Sequence, residues 1–357
     1  MKILFITRKY PPQIGGMEKY SYELIRNFPV EKWVIFLGKK QWNLIWWLPY
    51  VFFRVIFSRE KIDLIYLCDG LLAPIGYLLK IIKKVPVMAT CHGLDVTYPL
   101  FFYQALVIPA LKTLDKIICV SQATLEKCAT RGISREKLVF IANGIETKLK
   151  VKNEKLKVAI KSSKLQNLDI DLQTKNVLLT VGRLVKRKGV AWFVENVMTK
   201  LPPNIVYLII GAGPDKIKIE NSIRDLRLEK QVFLLGKLSD RDLEKTCAVS
   251  DIFIMPNIRV HGDMEGFGIV ALEAINYNLP IIASDLEGIR DAIKSGENGI
   301  LVKEKDAKEF IRQINILLKD PEKKQALIER AYNFTKANFD WKKIAAQYLW
   351  ELRKINK

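Results

Sequence analysis

Short apolar runs alternate with longer helical segments along the whole chain, and this alternation constrains the fold more than any other feature. The runs that read as strands are residues 3–7, 33–37, 63–68, 85–90, 116–120 and 138–142, then 177–181, 206–210, 232–235, 251–255, 280–284 and 299–302. Such alternation is typical of parallel sheets with helices on both faces. The sequence therefore predicts an α/β protein built from doubly wound sheets.

The length and one break in the pattern predict two domains. A chain of 357 residues exceeds the size at which a single hydrophobic core stops growing. The alternation pauses at 146–174, where lysines and polar residues replace it. We therefore predict an N-terminal domain at 1–150, a linker at 151–175 and a C-terminal domain at 176–340. A helix at 341–357 either packs on the second domain or crosses back to the first.

The net charge of +20 predicts an anionic partner, for which nucleic acid, anionic lipid and phosphate-bearing substrates are the candidates. The densest basic patch, 148–164, has seven lysines and one acidic residue, and is either a solvated linker or a membrane-facing patch. The aromatic residues do not alternate with basic ones, and no nucleic-acid motif appears. We therefore expect no nucleic-acid partner.

The cysteines and the first residues predict a cytoplasmic protein. Five cysteines include no C-x-x-C pair and several lie in apolar runs, as expected for buried thiols in a reducing compartment. The chain enters a strand pattern directly, without a signal-peptide hydrophobic region. No metal-binding pattern is visible, because Asp169 and Asp171, which match D-x-D in letters, stand in the linker without a preceding strand.

Two aromatic stretches of the first half raise the question of membrane contact. Residues 42–57 hold three tryptophans but also Pro49 and Arg54, and the stretch is too short to span a bilayer. It is either an interfacial helix, with its apolar face in the headgroup region, or an ordinary helix packed on the first sheet. The stretch 99–111 is equally ambiguous. Peripheral contact with an anionic membrane is therefore a hypothesis.

Two carboxylates, Glu265 and Glu273, stand eight residues apart after the strand 251–255. The segment 267–275 is apolar on nearly every face, which predicts a buried helix with Glu265 at its start and Glu273 two turns in. Buried ionised Glu needs a partner, and a ligand hydroxyl is one candidate. The alternative is that Glu265 complements the helix dipole and that Glu273 pairs with a neighbouring Lys or Arg.

The loop after the strand 177–181 carries four basic residues, among them Arg183 and Lys188. Arg183 is suited to bind two phosphate oxygens at once, and Lys188 to supply a point charge to a diphosphate. A solvated basic loop is the alternative. Gly211 and Gly213 follow the strand 206–210 and allow a close backbone approach to a nucleotide. Lys216 stands where a dinucleotide fingerprint needs its third glycine, so a NAD site is poorly supported.

Two loops of the first half are further candidates. Gly15 and Gly16 follow the first strand, and His92 follows the strand 85–90. The chain has only two histidines, His92 and His261, and both fall in loops after strands. Loops at the carboxyl ends of parallel strands bind ligands, which favours a functional role for His92 over a structural one.

Taken together, these motifs closely resemble those of the retaining family-4 glycosyltransferases. The ordered set is Pro11-Pro12 with Gly15-Gly16, His92 to Asp95, Val120-Ser121, Asn143-Gly144, Gly182-Arg183 with Lys188-Gly189, Gly211 to Gly213 and the Glu265/Glu273 pair. The resemblance implies a GT-B fold, in which two Rossmann-like domains face each other across a cleft. It implies that the donor binds mainly to the second domain and the acceptor mainly to the first. It also implies a reaction that is independent of metal.

The resemblance assigns roles by position. Arg183 and Lys188 would neutralise the donor diphosphate, Glu265 would hold hydroxyls of the transferred sugar, and Glu273 would hold the ribose diol. Gly16, beside Gly15, would let its loop close over the donor phosphates, and His92 would contact the sugar near the reacting carbon. The backbone cradle would comprise Gly266, Phe267, Gly268, Ile269 and Val270. Retention by front-face attack needs no covalent carboxylate nucleophile, unlike the retaining glycosidases.

The loop 257–264 resembles the longer loop of phosphatidylinositol mannosyltransferases, which favours GDP-mannose as donor and leaves UDP-sugars open. The leading hypothesis is hexose transfer to a lipid-linked or polysaccharide acceptor in glycolipid or cell-surface glycan synthesis. The alternative is a non-catalytic sugar-nucleotide-binding protein on the same scaffold. The basic loop and both glutamates argue against that alternative.

Overall fold

The computed structural model describes residues 1–13, 15–38, 43–147, 172 and 174–355. The predicted linker 151–175, apart from residues 172, 174 and 175, lies outside the described residues, as do the basic patch 148–164, Asp169, Asp171 and Trp42. Contacts divide the chain into two compact units. The first unit comprises Met1–Glu146, His261–Phe267 and Phe339–Lys357, and the second comprises Thr147–Val260 and Gly268–Asn338.

The first unit is built on a parallel six-stranded sheet with the order β2-β1-β3-β4-β5-β6. Its strands are β1 (Lys2–Thr7), β2 (Glu31–Phe36), β3 (Leu64–Leu67), β4 (Val87–Cys91), β5 (Lys116–Cys119) and β6 (Leu138–Phe140). Residues 3–6 of β1 are completely buried, since parallel strands are covered on both faces. That is why these strands appear as continuous apolar runs in the sequence.

Helices cover both faces of this sheet. They are α1 (Gly16–Asn27), α2 (Leu44–Ile56), α3 (Ala73–Lys83), α4 (Leu94–Thr97), α5 (Phe101–Thr113), α6 (Gln122–Thr130) and the helix Trp341–Ile355, labelled α14 below. Val51 of α2, Leu79 of α3 and Leu111 of α5 share one core with Leu4 and Ile6 of β1. Helices α1 and α14 pack together on the opposite face.

The second unit contains another parallel six-stranded sheet, with the order β12-β11-β10-β7-β8-β9. Its strands are β7 (Asn176–Val181), β8 (Ile205–Ile210), β9 (Val232–Gly236), β10 (Ile252–Met255), β11 (Ile281–Ser284) and β12 (Ile300–Val302). Its helices are α7 (Val190–Asn196), α8 (Lys216–Asp225), α9 (Asp240–Val249), α10 (Ile269–Ile275), α11 (Ile289–Ala292), α12 (Ala307–Lys319) and α13 (Pro321–Phe339). The predicted doubly wound α/β architecture is confirmed, with each predicted strand present within a few residues.

Helix α14 belongs to the first unit, where its Tyr348 hydroxyl lies 2.9 Å from that of Tyr20 in α1. Tyr20 in turn hydrogen-bonds Thr90 of β4 at 2.7 Å. Trp341, at the start of α14, covers Gly144, where an added Cβ atom would collide with the indole ring. In the described part of the chain, no helix is both long enough and apolar enough to cross a membrane.

Candidate active site

Each sheet has one point at which the strand order reverses. In the first unit this point lies between β1 and β3, and in the second it lies between β7 and β10. The loops after the two flanking strands run to opposite faces there and leave a crevice, where ligands of open α/β sheets bind. In the second unit these are the loop 182–189, which carries Arg183 and Lys188, and the loop that begins at Pro256. The order of strands in a sheet cannot be read from the sequence pattern, so only the structure places this crevice.

A partly buried ion pair lies at the reversal point of the first sheet. Arg8 follows β1, and its Nε donates a hydrogen bond of 3.0 Å to Oδ1 of Asp69, which follows β3. The Asp69 side chain is fully buried, and burial raises the pKa of its carboxyl group while the Arg8 charge opposes that shift. Neither residue was singled out from the sequence, because the contact joins positions that are 61 residues apart.

Gly15 and Gly16 lie at the start of α1, where Gly15 is the N-cap residue and Gly16 the first helical one. The side chain of Glu18 folds back over Gly15, so that an added Cβ atom there would collide with the carboxylate. Glu18 is buried and pairs with Lys9, Nζ to Oε1, at 3.0 Å. The absence of a side chain at Gly15 therefore makes room for a carboxylate of this chain.

The loop after β4 carries His92 and is called here the histidine loop. It is held in place from two sides. The Nε2 atom of His92 lies 3.0 Å from the carbonyl oxygen of Cys68. A carbonyl can only accept, so Nε2 carries a proton in this hydrogen bond. The ring meets that of Tyr20 edge to face, with centroids 4.7 Å apart. The imidazole thus has a donor fixed at Nε2 and a defined plane.

Asp95 holds the backbone of the same loop. Its Oδ2 atom accepts hydrogen bonds from the backbone N–H groups of His92, at 2.8 Å, and Gly70, at 3.3 Å. Asp95 is buried, and its own carbonyl oxygen accepts the Tyr103 hydroxyl at 3.0 Å. One carboxylate therefore ties the loops after β3 and β4 together. The sequence signal was an acid three residues after the histidine, but only the fold shows what it binds.

The segment Met264–Phe267 belongs to the first unit and lies against the histidine loop. An added Cβ atom on Gly266 would collide with the carbonyl oxygen of His92, and one on Gly93 would lie only 3.2 Å from Cγ of Met264. Glu265, between them, is buried with 8% of its surface exposed. Phe267 is also buried and packs on the ring of Phe339. The structure thus places Gly266, the residue after Glu265, directly against the backbone of His92.

In the second unit, Lys188 is the buried member of the basic loop. It ends a 3-10 turn, Lys186–Lys188, and only 9% of its surface is exposed, whereas Arg183 is exposed. The Lys188 side chain runs past Gly182, which leaves room for it. Gly189 follows with φ +66°, and an added Cβ atom there would collide with the carbonyl oxygen of Pro256. The loop after β7 is therefore packed directly on the loop after β10.

Gly211 and Gly213 have a local reason to be glycines. Added Cβ atoms would collide with the carbonyl oxygens of Gly182 and Leu184, respectively. The backbone N–H of Leu184 donates to Ala212 at 3.0 Å, so the loops after β7 and β8 lie in direct backbone contact. These glycines set the position of the basic loop, in addition to any role toward a nucleotide.

The predicted helix start at Glu265 is wrong. Helix α10 begins at Ile269, with Gly268 as a left-handed N-cap at φ +82°. Glu265 therefore lies in a loop of the first unit, and Glu273, half-buried on α10, lies in the second. Ile269 and Val270 form the first turn of α10. The apolar run 267–275 gave no sign that the helix begins only after Gly268, because the whole run was predicted to be helical.

The remaining candidates contribute less. His261 is exposed. Among the described residues, no three His, Cys, Asp or Glu side chains come together as a metal site. All five cysteines are buried and free, as the sequence predicted.

Two family models match the chain. Residues 5–149 match the model described as Glycosyltransferase Family 4, and residues 166–334 match Glycosyl transferases group 1. A GDP-mannose-dependent monoacylated alpha-(1-6)-phosphatidylinositol monomannoside mannosyltransferase of Corynebacterium glutamicum is 26% identical, over 95% of this chain and 94% of its own. A UDP-Gal:alpha-D-GlcNAc-diphosphoundecaprenol alpha-1,3-galactosyltransferase of Escherichia coli is also 26% identical, over 72% of this chain and 67% of its own.

Among solved structures, Anabaena HepE in complex with UDP-glucose superposes with a TM-score of 0.82 at 20% identity, and the match covers 99% of this chain and 100% of that one. The likeness shows that the fold is GT-B. Because the two family models together span both sheets, the chain belongs to the family-4 (group 1) glycosyltransferases, retaining enzymes that transfer a sugar from a nucleotide-sugar donor.

Proposed function

We propose that this glycosyltransferase moves a hexose, with mannose from GDP-mannose favoured, to a lipid-linked or polysaccharide acceptor in glycolipid or cell-surface glycan synthesis without a metal ion. The observation that supports this best is the buried Lys188 residue at the strand-order reversal of the second sheet. A buried cation at a ligand crevice is well placed to stabilise an anionic diphosphate. Arg183, exposed on the same loop, would add a bidentate contact to the phosphate oxygens.

The remaining roles follow from the same proposal. Glu265 would accept hydrogen bonds from hydroxyls of the transferred sugar, and Glu273 from the ribose diol. Backbone N–H groups of residues 266–270 would complete the phosphate cradle. His92, whose orientation the Cys68 carbonyl fixes, would contact the sugar near the reacting carbon. As the bond to the donor phosphate breaks, the leaving phosphate would take the proton of the attacking acceptor hydroxyl.

The relatives of this chain support two different donors. GDP-mannose is the donor named for the Corynebacterium relative, whereas UDP-glucose is the ligand of the structurally similar HepE. A screen of GDP- and UDP-sugars by nucleotide release, in the presence of a chelator, separates them. We expect GDP release from GDP-mannose to exceed that from any other donor. Release of UDP alone would contradict the mannose assignment, and loss of all activity in the chelator would contradict metal independence.

The site assignment is tested by Lys188→Met and Glu265→Ala. Lys188→Met keeps most of the buried volume and removes the charge, so we expect transfer to fall about 100-fold or more, as for other removed electrostatic stabilisers. Glu265→Ala should reduce kcat similarly because sugar positioning is lost. Lys186→Ala, an exposed residue in the same turn, is the control and should retain activity. Unimpaired transfer by both site variants would contradict the assignment.

A further inference from the structure

The exposed residues of α3 are all apolar, and its two lysines, Lys80 and Lys83, are half-buried. Its exposed residues are Tyr77, Leu78, Ile81 and Ile82, and Ile81 is 54% exposed. The opposite side of the helix, including Leu79, is buried against the sheet. A surface helix normally carries polar residues on its outer side. Helix α3 therefore has two apolar sides, of which the fold uses one.

The two neighbouring helices have the same property. On α2, Ile45, Trp46 and Phe53 are exposed, with Trp46 at 80%. On α5, Phe101 and Phe102 are exposed, with Phe102 at 79%. The inner sides of both helices are buried in the same core. The two readings of these stretches, packed helix or interfacial helix, are thus not exclusive.

The three outer sides form one surface, called here the three-helix face, which consists of the exposed residues of α2, α3 and α5. Helix α3 packs against α2 on one side and against α5 on the other. All three helices bury their inner sides against the same face of one sheet, so their outer sides point away from it together. Contiguous apolar patches on soluble monomers rarely exceed a few hundred Å² and usually mark a binding surface.

The charged residues of the three-helix face indicate what kind of surface binds there. None of the three helices contains an Asp or a Glu. Their only exposed charged residues are Arg54 on α2 and Lys112 on α5, and the exposed Lys84 follows α3 directly. A second copy of this chain bound through the same face would bring like charges together without a carboxylate to pair them. An anionic surface would pair every one of them.

We propose that the three-helix face docks on the anionic leaflet of a lipid bilayer, with the helices lying in the interface. Aromatic residues such as Trp46 and Tyr77 prefer the headgroup level, and cations at helix ends attract anionic lipid. The proposal extends the proposed function, because a lipid-linked acceptor would lie in the same bilayer. It names a surface of three helices, where the sequence left two separate stretches undecided.

The face continues toward the histidine loop. Leu94 and Tyr98, in and after the short helix α4, and Leu100 before α5 are exposed apolar residues. Leu94 stands two residues after His92 in the chain. Docking of the face would therefore bring the His92 loop to the headgroup region. That position suits a hydroxyl acceptor carried on a lipid.

The test measures binding of the full chain to phosphatidylcholine vesicles with and without phosphatidylglycerol, in the absence of any acceptor lipid. We expect sedimentation with the anionic vesicles, weakened by salt. Ile81→Glu places a carboxylate at the middle of the face and should weaken binding on the order of tenfold or more. Ile217→Glu, at a residue that is 69% exposed on α8 of the second unit, makes the same change of charge and should bind as the unchanged protein does.

Nucleotide release in lipid-free solution separates this inference from the proposed function. Both variants should release nucleotide from the donor at the unchanged rate, because neither residue lies in the proposed donor site. Equal vesicle binding by Ile81→Glu and Ile217→Glu, or no binding to anionic vesicles at low salt, would overturn the proposal. So would a dimer in solution that Ile81→Glu dissociates, since the face would then be an interface between copies.

Discussion

Asp95 is the residue on which the geometry of the histidine loop depends most directly. Its single Oδ2 atom accepts two backbone N–H groups, one from each of the loops after β3 and β4. Both loops lie at the carboxyl edge of the first sheet, beside the point where its strand order reverses. The residue acts through His92 and Gly70, so we assign it a positioning role.

Asp95→Ala should therefore lower kcat more than it raises the donor KM. The two N–H groups would lose a buried acceptor at a cost of about 1–3 kcal/mol, and displacement of His92 should reduce transfer on the order of 10- to 100-fold. Asp95→Asn retains an acceptor oxygen and should recover most of the rate. Steady-state kinetics of the two variants, with urea unfolding, check this expectation. A normal kcat for Asp95→Ala would show that the loop holds its shape without the carboxylate.

Gly189 offers a matched test of backbone packing beside Lys188. Gly189 and Gly236 both have φ +66°. An added Cβ atom at Gly189 would collide with the Pro256 carbonyl, whereas a Cβ atom added at Gly236 would have no neighbour within 4 Å. Alanine at either position pays the left-handed cost of about 1–2 kcal/mol. Gly189→Ala should lose a further 1–3 kcal/mol or so by overpacking, and with it transfer activity. Equal urea midpoints for the two variants would mean that the loops after β7 and β10 can separate freely.

At the scale of secondary-structure elements, α14 is an integral layer of the first unit. Tyr348 is fully buried and its hydroxyl joins a network with Tyr20 and Thr90, to which the hydroxyl of Tyr66 in β3 also bonds. Burial raises the pKa of Tyr348, so the phenol stays protonated and can donate in this network throughout the neutral range. The helix thus supplies both apolar area and a specific polar anchor.

Tyr348→Ala should destabilise the first unit by about 3–5 kcal/mol, because a large buried ring and a hydroxyl partner are lost. Trp350→Ala, two residues further along the same helix, removes a ring that is 60% exposed and should cost about 0.5 kcal/mol or less. Differential scanning calorimetry of the two variants provides the comparison. Similar transition temperatures for both would indicate that α14 contributes little to the stability of this unit.

The elements also show where sequence reasoning reaches its limit. Strands were predictable because strands buried on both faces are continuous apolar runs, as in residues 3–6. The start of α10 was not, because the apolar run continues through Gly268, whose left-handed conformation separates loop from helix. The face of α3 was equally hidden. An apolar pattern on both sides of a helix does not tell which side the sheet will cover.

At the scale of the whole molecule, the two-sheet architecture followed from the alternation of elements, whereas the composition of each unit did not. The predicted boundaries placed His261–Phe267 within the second domain and left open whether 341–357 crosses back to the first. Contacts assign both His261–Phe267 and Phe339–Lys357 to the same unit as the first 146 residues. Tertiary contacts such as that between Gly266 and His92 decide this, and they join residues far apart in the chain. Glu265 was singled out by its motif, and contacts group it with the first unit, whereas the predicted boundaries put it in the second domain.

This assignment of Phe339–Lys357 has a consequence for how the protein is made. During synthesis, every segment of the second unit emerges from the ribosome before α14 does. The apolar surface around Tyr20 and Tyr66 therefore lacks its cover, helix α14, while the second unit is translated. The first unit begins first along the chain but is the last to be completed. A chain interrupted before Phe339 would leave that surface exposed to solvent.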